Sequence, residues 1–453
     1  MKTSSKKATS INLLNFRTPQ MKAFHLSWIA FFLCFFGWFG IAPLMAVVRE
    51  ELDLSKFQIG NIIISSVAIT IFARLAIGWL LDRIGPRITY TYLLILGAIP
   101  VMLIGFSNSY ESFLVFRLMI GVIGAGFVVT QYHTSMMFAP NVVGTANATT
   151  AGWGNLGGGV TQMLMPLIFA GFVSIGFLDQ EAWRLAMVVP GILMVICGFL
   201  YYRHTTDLPE GNLKDLKKED FADKVEKKAS KVSFATVSKD YRVWLLFLIY
   251  GACFGVELTI NNIGAIYFHD FFELDLKTAG LIAGLFGLMN LFARSMGGFF
   301  GDKAGMNWGL KGRVWLLGAV LLAEGLSLVL FSQINILPFA IGSMIVFSLF
   351  VQMAEGATYA VVPFVNRKAI GTVSGIVGAG GNTGAVLAGF LFKSESLSYS
   401  DALAILGITV TLVSVFSFLI RFSKEDEQEA SEELINSIAE KNMEVAPAYL
   451  MEK

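Results

Sequence analysis

Charge is scarce in this 453-residue chain: Asp, Glu, Lys and Arg together supply only 15% of it. A soluble fold of this size carries about 25%. With a mean hydropathy of +0.65, the shortage excludes an ordinary water-facing surface. Cysteine is also rare, and Cys34, Cys197 and Cys253 all lie within apolar runs, which excludes a disulfide framework. The four histidines, His25, His133, His204 and His269, fall at no metal-ligand spacing, and HExxH does not occur. Neither a metal nor any other cofactor is therefore expected. No polar stretch is long enough for a catalytic domain, which argues against an enzyme. A formal net charge of +1 leaves nothing to attract nucleic acid.

Apolar residues, at 55%, fill the space that charge leaves. Runs of about 20 residues, enough to cross a bilayer as helix, recur along nearly the whole chain. Twelve spans are expected, at about 25–48, 58–82, 87–106, 111–136, 144–176, 183–203, 241–268, 277–301, 312–332, 337–362, 369–392 and 401–422. The expected fold class is an all-α membrane protein, with six-helix bundles at 25–203 and 241–422 surrounded by lipid. Residues 1–24 precede them, 204–240 form a basic linker, and 423–453 an acidic tail read as a solvated or loosely helical end. The first run lacks a small-residue cleavage pattern and reads as a retained helix. Lysines crowd the linker, whereas "SNSYES" and "SQIN" at the opposite ends carry neither Lys nor Arg. This asymmetry predicts a cytoplasmic linker and two cytoplasmic termini.

The two halves repeat one another. "IFARLAIGWLLDRIG" from Ile71 is echoed by "LFARSMGGFFGDKAG" from Leu291, matching Arg74, Asp82 and Gly85 with Arg294, Asp302 and Gly305 at an offset of 220. "GTANATTAGWGNLGGG" from Gly144 is echoed by "GTVSGIVGAGGNTGAV" from Gly371, at an offset of 227. There Gly154 and Asn155 match Gly381 and Asn382. Parallel repeats related about the membrane normal are one construction of secondary transporters, with the site between them near the midplane.

Arg74 lies eight residues from its span's cytoplasmic end, or roughly 12 Å, against about 15 Å for half the hydrocarbon core. Arg294 falls at the same depth. An arginine there costs at least about 2.5–3.5 kcal/mol and needs a cavity and an anionic partner. Two facing arginines repel, so an anion between them gains value. A guanidinium is planar and permanently charged, which suits a small oxyanion with coplanar oxygens. The competing reading is that each arginine neutralises an internal acid, with Glu257, Glu324 and Glu355 available. Acid pairing alone does not account for the repeat.

The dense glycines of the second repeat let helix backbones approach closely. Asn155 and Asn382 are buried amides that need partners, and each could donate to a substrate oxygen. Tyr250, Phe254, Glu257 and Asn261 are spaced four, three and four apart, on one face of span seven. Those rings, with Phe127 in span four, could sandwich a flat anion or simply pack.

"GWLLDRIGPR" at 78–87 resembles the GxxxDRxGxR loop motif of the major facilitator superfamily, and "RLMIGVIGAG" at 117–126 its span-four motif. "AGWGNLGGG" and "GAGGNTGAV", with one arginine in each of spans two and eight, resemble the signature of the nitrate/nitrite porter family. "YGACFGVELTINNI" and "AEGATYAVVPFV" look like its proton-coupled, high-affinity nitrate branch. The resemblance implies a major facilitator fold and import of nitrate and nitrite: both anions, with protons, are the expected partners of a monomer in the cell membrane. It implies that Arg74 and Arg294 grip the anion, that Phe127, Tyr250 and Phe254 flank it, and that Asn155, Asn382, Gly154 and Gly381 line its path. Asp82, Arg83, Arg87, Asp302 and Arg117 belong to the motifs expected to gate it.

Moving one charge against the membrane potential costs about 2.3 kcal/mol per 100 mV. Nitrate uptake therefore needs at least two protons per anion, whereas nitrate–nitrite exchange needs none. Glu257 is the first candidate for the proton site; Glu355 is a second, or an arginine's structural partner. The alternatives are an exchanger, a facilitator for another small anion such as formate, and a nitrate-binding receptor.

Overall fold

The structure, a computed structural model, describes residues 7–138, 143–215, 234–366 and 370–432. Among the described residues, twelve helices are long and apolar enough to span a membrane, as the sequence predicts. The first half holds Pro19–Glu51, Lys56–Gly78, Arg83–Phe106, Tyr110–Met137, Thr145–Ser174 and Asp179–His204, numbered spans one to six. The second holds Tyr241–Phe272, Leu276–Gly301, Lys303–Ser332, Leu337–Phe364, Val373–Lys393 and Tyr399–Leu419, spans seven to twelve. Among the described residues there is no sheet, only the isolated bridges Ala8–Phe138 and Leu208–Gly211. Helix is the form that satisfies every backbone group within one segment when the solvent is lipid.

Polar residues punctuate the apolar runs and set where helices begin. Ser55 and Gln58 form a capping box at the start of span two, and the Asp275 carboxylate accepts from Thr278 N at 3.0 Å at the start of span eight. Such side chains satisfy N–H groups that the first turn leaves unpaired.

The same hairpin device serves both halves. Spans two and three meet at Gly85, at φ 80°, and spans eight and nine at Gly309, at φ 65°. The Asp207 carboxylate, just past span six, accepts from Arg87 N at 2.9 Å and Leu213 N at 3.0 Å. The Glu427 carboxylate, just past span twelve, accepts from Leu310 N at 2.9 Å and Lys311 N at 3.3 Å. A Cβ on either glycine would collide with that carboxylate, so glycine is required for space as well as for positive φ. Asp426 also pairs with Arg242 at 3.0 Å. The start of the acidic tail, helical over 424–432, is thus docked against the second bundle, where the sequence suggests a solvated or loosely helical end.

Four helices build the seam between the halves. Span two packs on span eleven, where Gly60 abuts Lys393 and Gly389 abuts Ile64; span five packs on span eight, where Gly280 abuts Gln162 and Gly287 abuts Gly159. At the end away from the linker the seam is tied by charge. Arg49 donates twice to Asp270, at 2.6 and 3.1 Å, and Lys56 donates to Leu397 O. Toward the linker end, a Cβ on Gly78, Gly298 or Gly375 would meet nothing within 4 Å. Among the described residues, the seam is closed at the end away from the linker.

Candidate functional site

Arg74 and Arg294 are both buried, with 8% and 3% of their surface exposed, yet their surroundings differ. Arg74 donates one hydrogen bond, to Gly378 O on span eleven at 3.1 Å. Its Nε and second terminal nitrogen have no hydrogen-bond partner. Its guanidinium lies over the rings of Phe127 and Phe254, 5.2 and 5.9 Å from their centroids. Arg294 is engaged: it donates to the Glu355 carboxylate and to Tyr250 Oη at 3.0 Å. The repeat makes the two cations equivalent in sequence, and their partners make them unequal.

Aromatic rings stand between them. Tyr250 stacks on Phe254 with centroids 5.2 Å apart and planes at 13°, as expected of residues on one face of span seven. Tyr359 meets Tyr250 edge-on at 5.1 Å and Phe127 at 6.4 Å. Tyr359 was not singled out by sequence. The available signal was its place four residues after Glu355, on the same helix face. Edge-to-face and stacked rings of this kind form a rigid wall with polar tips.

The acids divide in the same way. The Glu257 carboxylate, fully buried, accepts from Asn155 Nδ2 at 3.1 Å and from Asn290 Nδ2 at 2.8 Å. Glu355 lies beside Glu257 and within electrostatic reach of Glu324. Both Glu324 oxygens are buried without a partner. Asn382 likewise keeps both its amide atoms unpartnered. The repeat explains the contrast between the two asparagines. In the register that matches Phe31 with Phe254, Cys34 stands where the second half has Glu257. The acid exists in one half only.

The signature glycines make contacts between helices of one half. A Cβ on Gly154 would enter the Phe31 ring, and one on Gly381 the Phe254 ring. What the structure gives them is the role of admitting a ring between spans one and five, and between seven and eleven. Gly381 thereby sets the position of a ring that faces Arg74.

The residues expected to gate the path are dispersed. Arg87 donates to Tyr202 O at 2.8 Å and stays within the first half. Arg117 is buried deep in that half and donates to Trp38 O at 2.8 Å and Ser66 Oγ at 3.2 Å. It reaches the other half through Asn262 Oδ1 at 3.5 Å. Arg83 is exposed. The side chains of Asp82 and Asp302 lie outside the described residues. The side-chain carboxylates of Asp207 and Glu427 that accept from backbone N–H groups were not anticipated from sequence, because they depend on loops folding back across a bundle.

Formally, Arg74 and Arg294 balance Glu257 and Glu355 when both acids are ionised. Beside the rings, unpartnered donor nitrogens remain on Arg74 and on Asn382, one helical turn from Gly378. A small anion could use them. Buried donors in a low-dielectric site bind charge strongly when water is excluded.

The sequence profile of the Major Facilitator Superfamily matches residues 27–389. The chain is 42% identical to a protein named high affinity nitrate transporter 2.5 of Arabidopsis thaliana, over 92% of this chain and 82% of that one. It is 38% identical to nitrate transporter 2.1 of Chlamydomonas reinhardtii, covering 92% and 78%. A nitrate/nitrite transporter of Picosynechococcus is 31% identical, covering 81% and 83%. The fold is similar to that of a bacterial homolog of the human lysosomal transporter Spinster in an inward-facing, occupied conformation. That match has a TM-score of 0.68 at 17% identity, over 89% of this chain and 97% of the other.

Proposed function

The chain belongs to the Major Facilitator Superfamily, in its nitrate/nitrite transporter branch, and we propose that it imports nitrate, and nitrite with it, by proton-coupled symport. It is a transporter and not an enzyme. The observation that carries the anion reading is Arg74, a permanent cation in the membrane interior with two buried N–H donors unspent. Nitrate is flat, and the Phe127 and Phe254 rings beside Arg74 offer it faces to lie against. The relatives named for nitrate transport support the choice of anion.

Proton coupling follows from competition for Arg294. While Glu355 is ionised it occupies that guanidinium. A proton on Glu355 removes the competing charge and frees Arg294 to turn to the anion bound at Arg74. Glu257, held by two amide donors, takes the second proton. Two protons and one nitrate then carry a net charge of +1 inward, which the membrane potential drives. The halves rock about the bound anion as rigid bodies, with the linker and both termini in the cytoplasm and the monomer sufficient.

Nitrate uptake into proteoliposomes, with and without an imposed proton gradient, tests the scheme. Glu257→Gln and Glu355→Gln should each lose gradient-driven uptake by about a hundredfold or more, the usual scale for a lost proton-transfer group, while nitrate counterflow persists. Gradient-driven uptake unchanged in both variants would remove these acids from the mechanism. Wild-type uptake that ignores the gradient and requires nitrite inside would mark an exchanger.

A further inference from the structure

In the symport reading Glu257 receives its proton from the end of the seam that the Arg49–Asp270 pair closes, and a row of buried amides extends from Glu257 in that direction. Asn155 and Asn290 bind Glu257 through their Nδ2 atoms, and the Oδ1 atom of each is buried without a partner. One turn along span seven, Asn261 lies against Gly158 of span five, with its Nδ2 unpartnered. Gln162, the next turn of span five, donates Nε2 to Asn261 O at 2.6 Å, and its Oε1 is unpartnered. Asn155, Asn261, Asn290 and Gln162 are each at most 2% exposed.

The row has a direction. Gln162 O abuts Gly280, four residues into span eight, which puts it roughly 6 Å from that helix's outer end at 1.5 Å per residue. Asn155 lies seven residues deeper on span five, roughly 10 Å farther in. The row therefore runs outward from Glu257 between spans five, seven and eight, and ends at Gln162, still twelve residues from the outer end of span five. Arg74 and the aromatic wall are on the other side, against span eleven.

We propose that this row is a file of water-binding positions that delivers protons to Glu257 by a route separate from the anion's. Buried polar atoms without protein partners are the places where ordered water binds, two to four polar contacts being typical of each molecule. Four such atoms on consecutive turns, donors and acceptors both, make a continuous hydrogen-bonded path. A proton entering at Gln162 passes along water O–H bonds, each forming as the next one breaks, and ends as the carboxyl hydrogen of Glu257. The amide oxygens of Asn155 and Asn290 then accept from that hydrogen once either amide turns. The ionisable groups facing the file are Glu257, with Glu355 and Arg294 behind it, and Arg117 through Asn262. Apolar neighbours such as Met163 and Leu288 supply the rest of the seam. The proposal rests on the symport reading above.

The test uses the full chain in proteoliposomes. Gln162→Met keeps the volume and removes the amide; Gln162→Ser opens room and keeps a hydroxyl for water. The expected result is that Gln162→Met loses gradient-driven nitrate uptake tenfold or more with nitrate counterflow at the wild-type rate, while Gln162→Ser retains both. Gradient-driven uptake retained by Gln162→Met overturns the proposal. Counterflow lost along with it also overturns the proposal, because the side chain would then be structural. If wild-type uptake ignores the gradient, the symport reading itself fails and the file falls with it, an outcome distinct from the other two.

Discussion

Arg74 and Arg294 show how one residue type at equivalent positions acquires two assignments. Arg294 has a carboxylate and a tyrosine hydroxyl, while Arg74 has one carbonyl and two aromatic faces. A lysine offers a point charge on a flexible stem and cannot reproduce a planar fork stacked on rings. Arg74→Lys should therefore cut nitrate uptake by about a hundredfold, two charge-assisted hydrogen bonds at the lower end of their usual strength. Nitrate-dependent thermal stabilisation of the purified protein should vanish with it. Uptake within a factor of two of wild type would show that the anion is held elsewhere. Glu324 is the counterexample to reading a buried acid as a counter-ion: it stands within electrostatic reach of Glu355 and Cys253 and is bound to nothing.

Helices pair through glycine in this molecule, and the aromatic rings of the site depend on those pairings. Gly154 and Gly381 each accept a phenylalanine from the neighbouring helix, Phe31 and Phe254. Gly154→Ala and Gly381→Ala should each destabilise the protein by about 1–3 kcal/mol, the usual cost of overpacking, read as a lowered Tm. Phe31→Leu should restore the first and Phe254→Leu the second, since each removes the colliding ring. Only the second pair should alter nitrate affinity, because Phe254 faces Arg74 and Phe31 does not. Equal effects on affinity would sink that distinction. The glycines were conspicuous as sequence, and close helix approach was one of the readings they carried. Which ring each admits was not legible, because Phe31 and Gly154 are far apart along the chain.

Across the whole molecule, the repeat places related positions opposite each other near the pseudo-twofold axis. Arg49 and Asp270 are 221 residues apart, two short of the offset that matches Phe31 with Phe254, so each meets a near neighbour of its own equivalent. Two near-equivalent charged positions that meet are stabilised only if the two halves carry opposite signs there. The pair is partly exposed, so it contributes about 1 kcal/mol, and making the charges alike reverses the sign. Arg49→Asp should therefore open the outer end, seen as labelling of an Ile64→Cys thiol by an impermeant reagent at least about tenfold faster, since 1.4 kcal/mol is tenfold. The exchange Arg49→Asp with Asp270→Arg should return the rate to its starting value. A swapped protein that labels as fast as the single variant would mean that the pair does not hold the seam.

The twelve spans and the two halves were legible in the chain alone, because hydropathy, charge and repeat spacing are local and lipid leaves helix as the open choice. So was the gathering of Tyr250, Phe254, Glu257 and Asn261 on one face, since helical geometry dictates it. The partners of each side chain were not. Glu355 claims Arg294 and leaves Arg74 open, Asn155 binds Glu257 while Asn382 binds nothing, and the seam closes at Arg49 and Asp270. Each of these joins helices distant in sequence, and so depends on how the spans rotate and pack against one another, which only the assembled bundle decides.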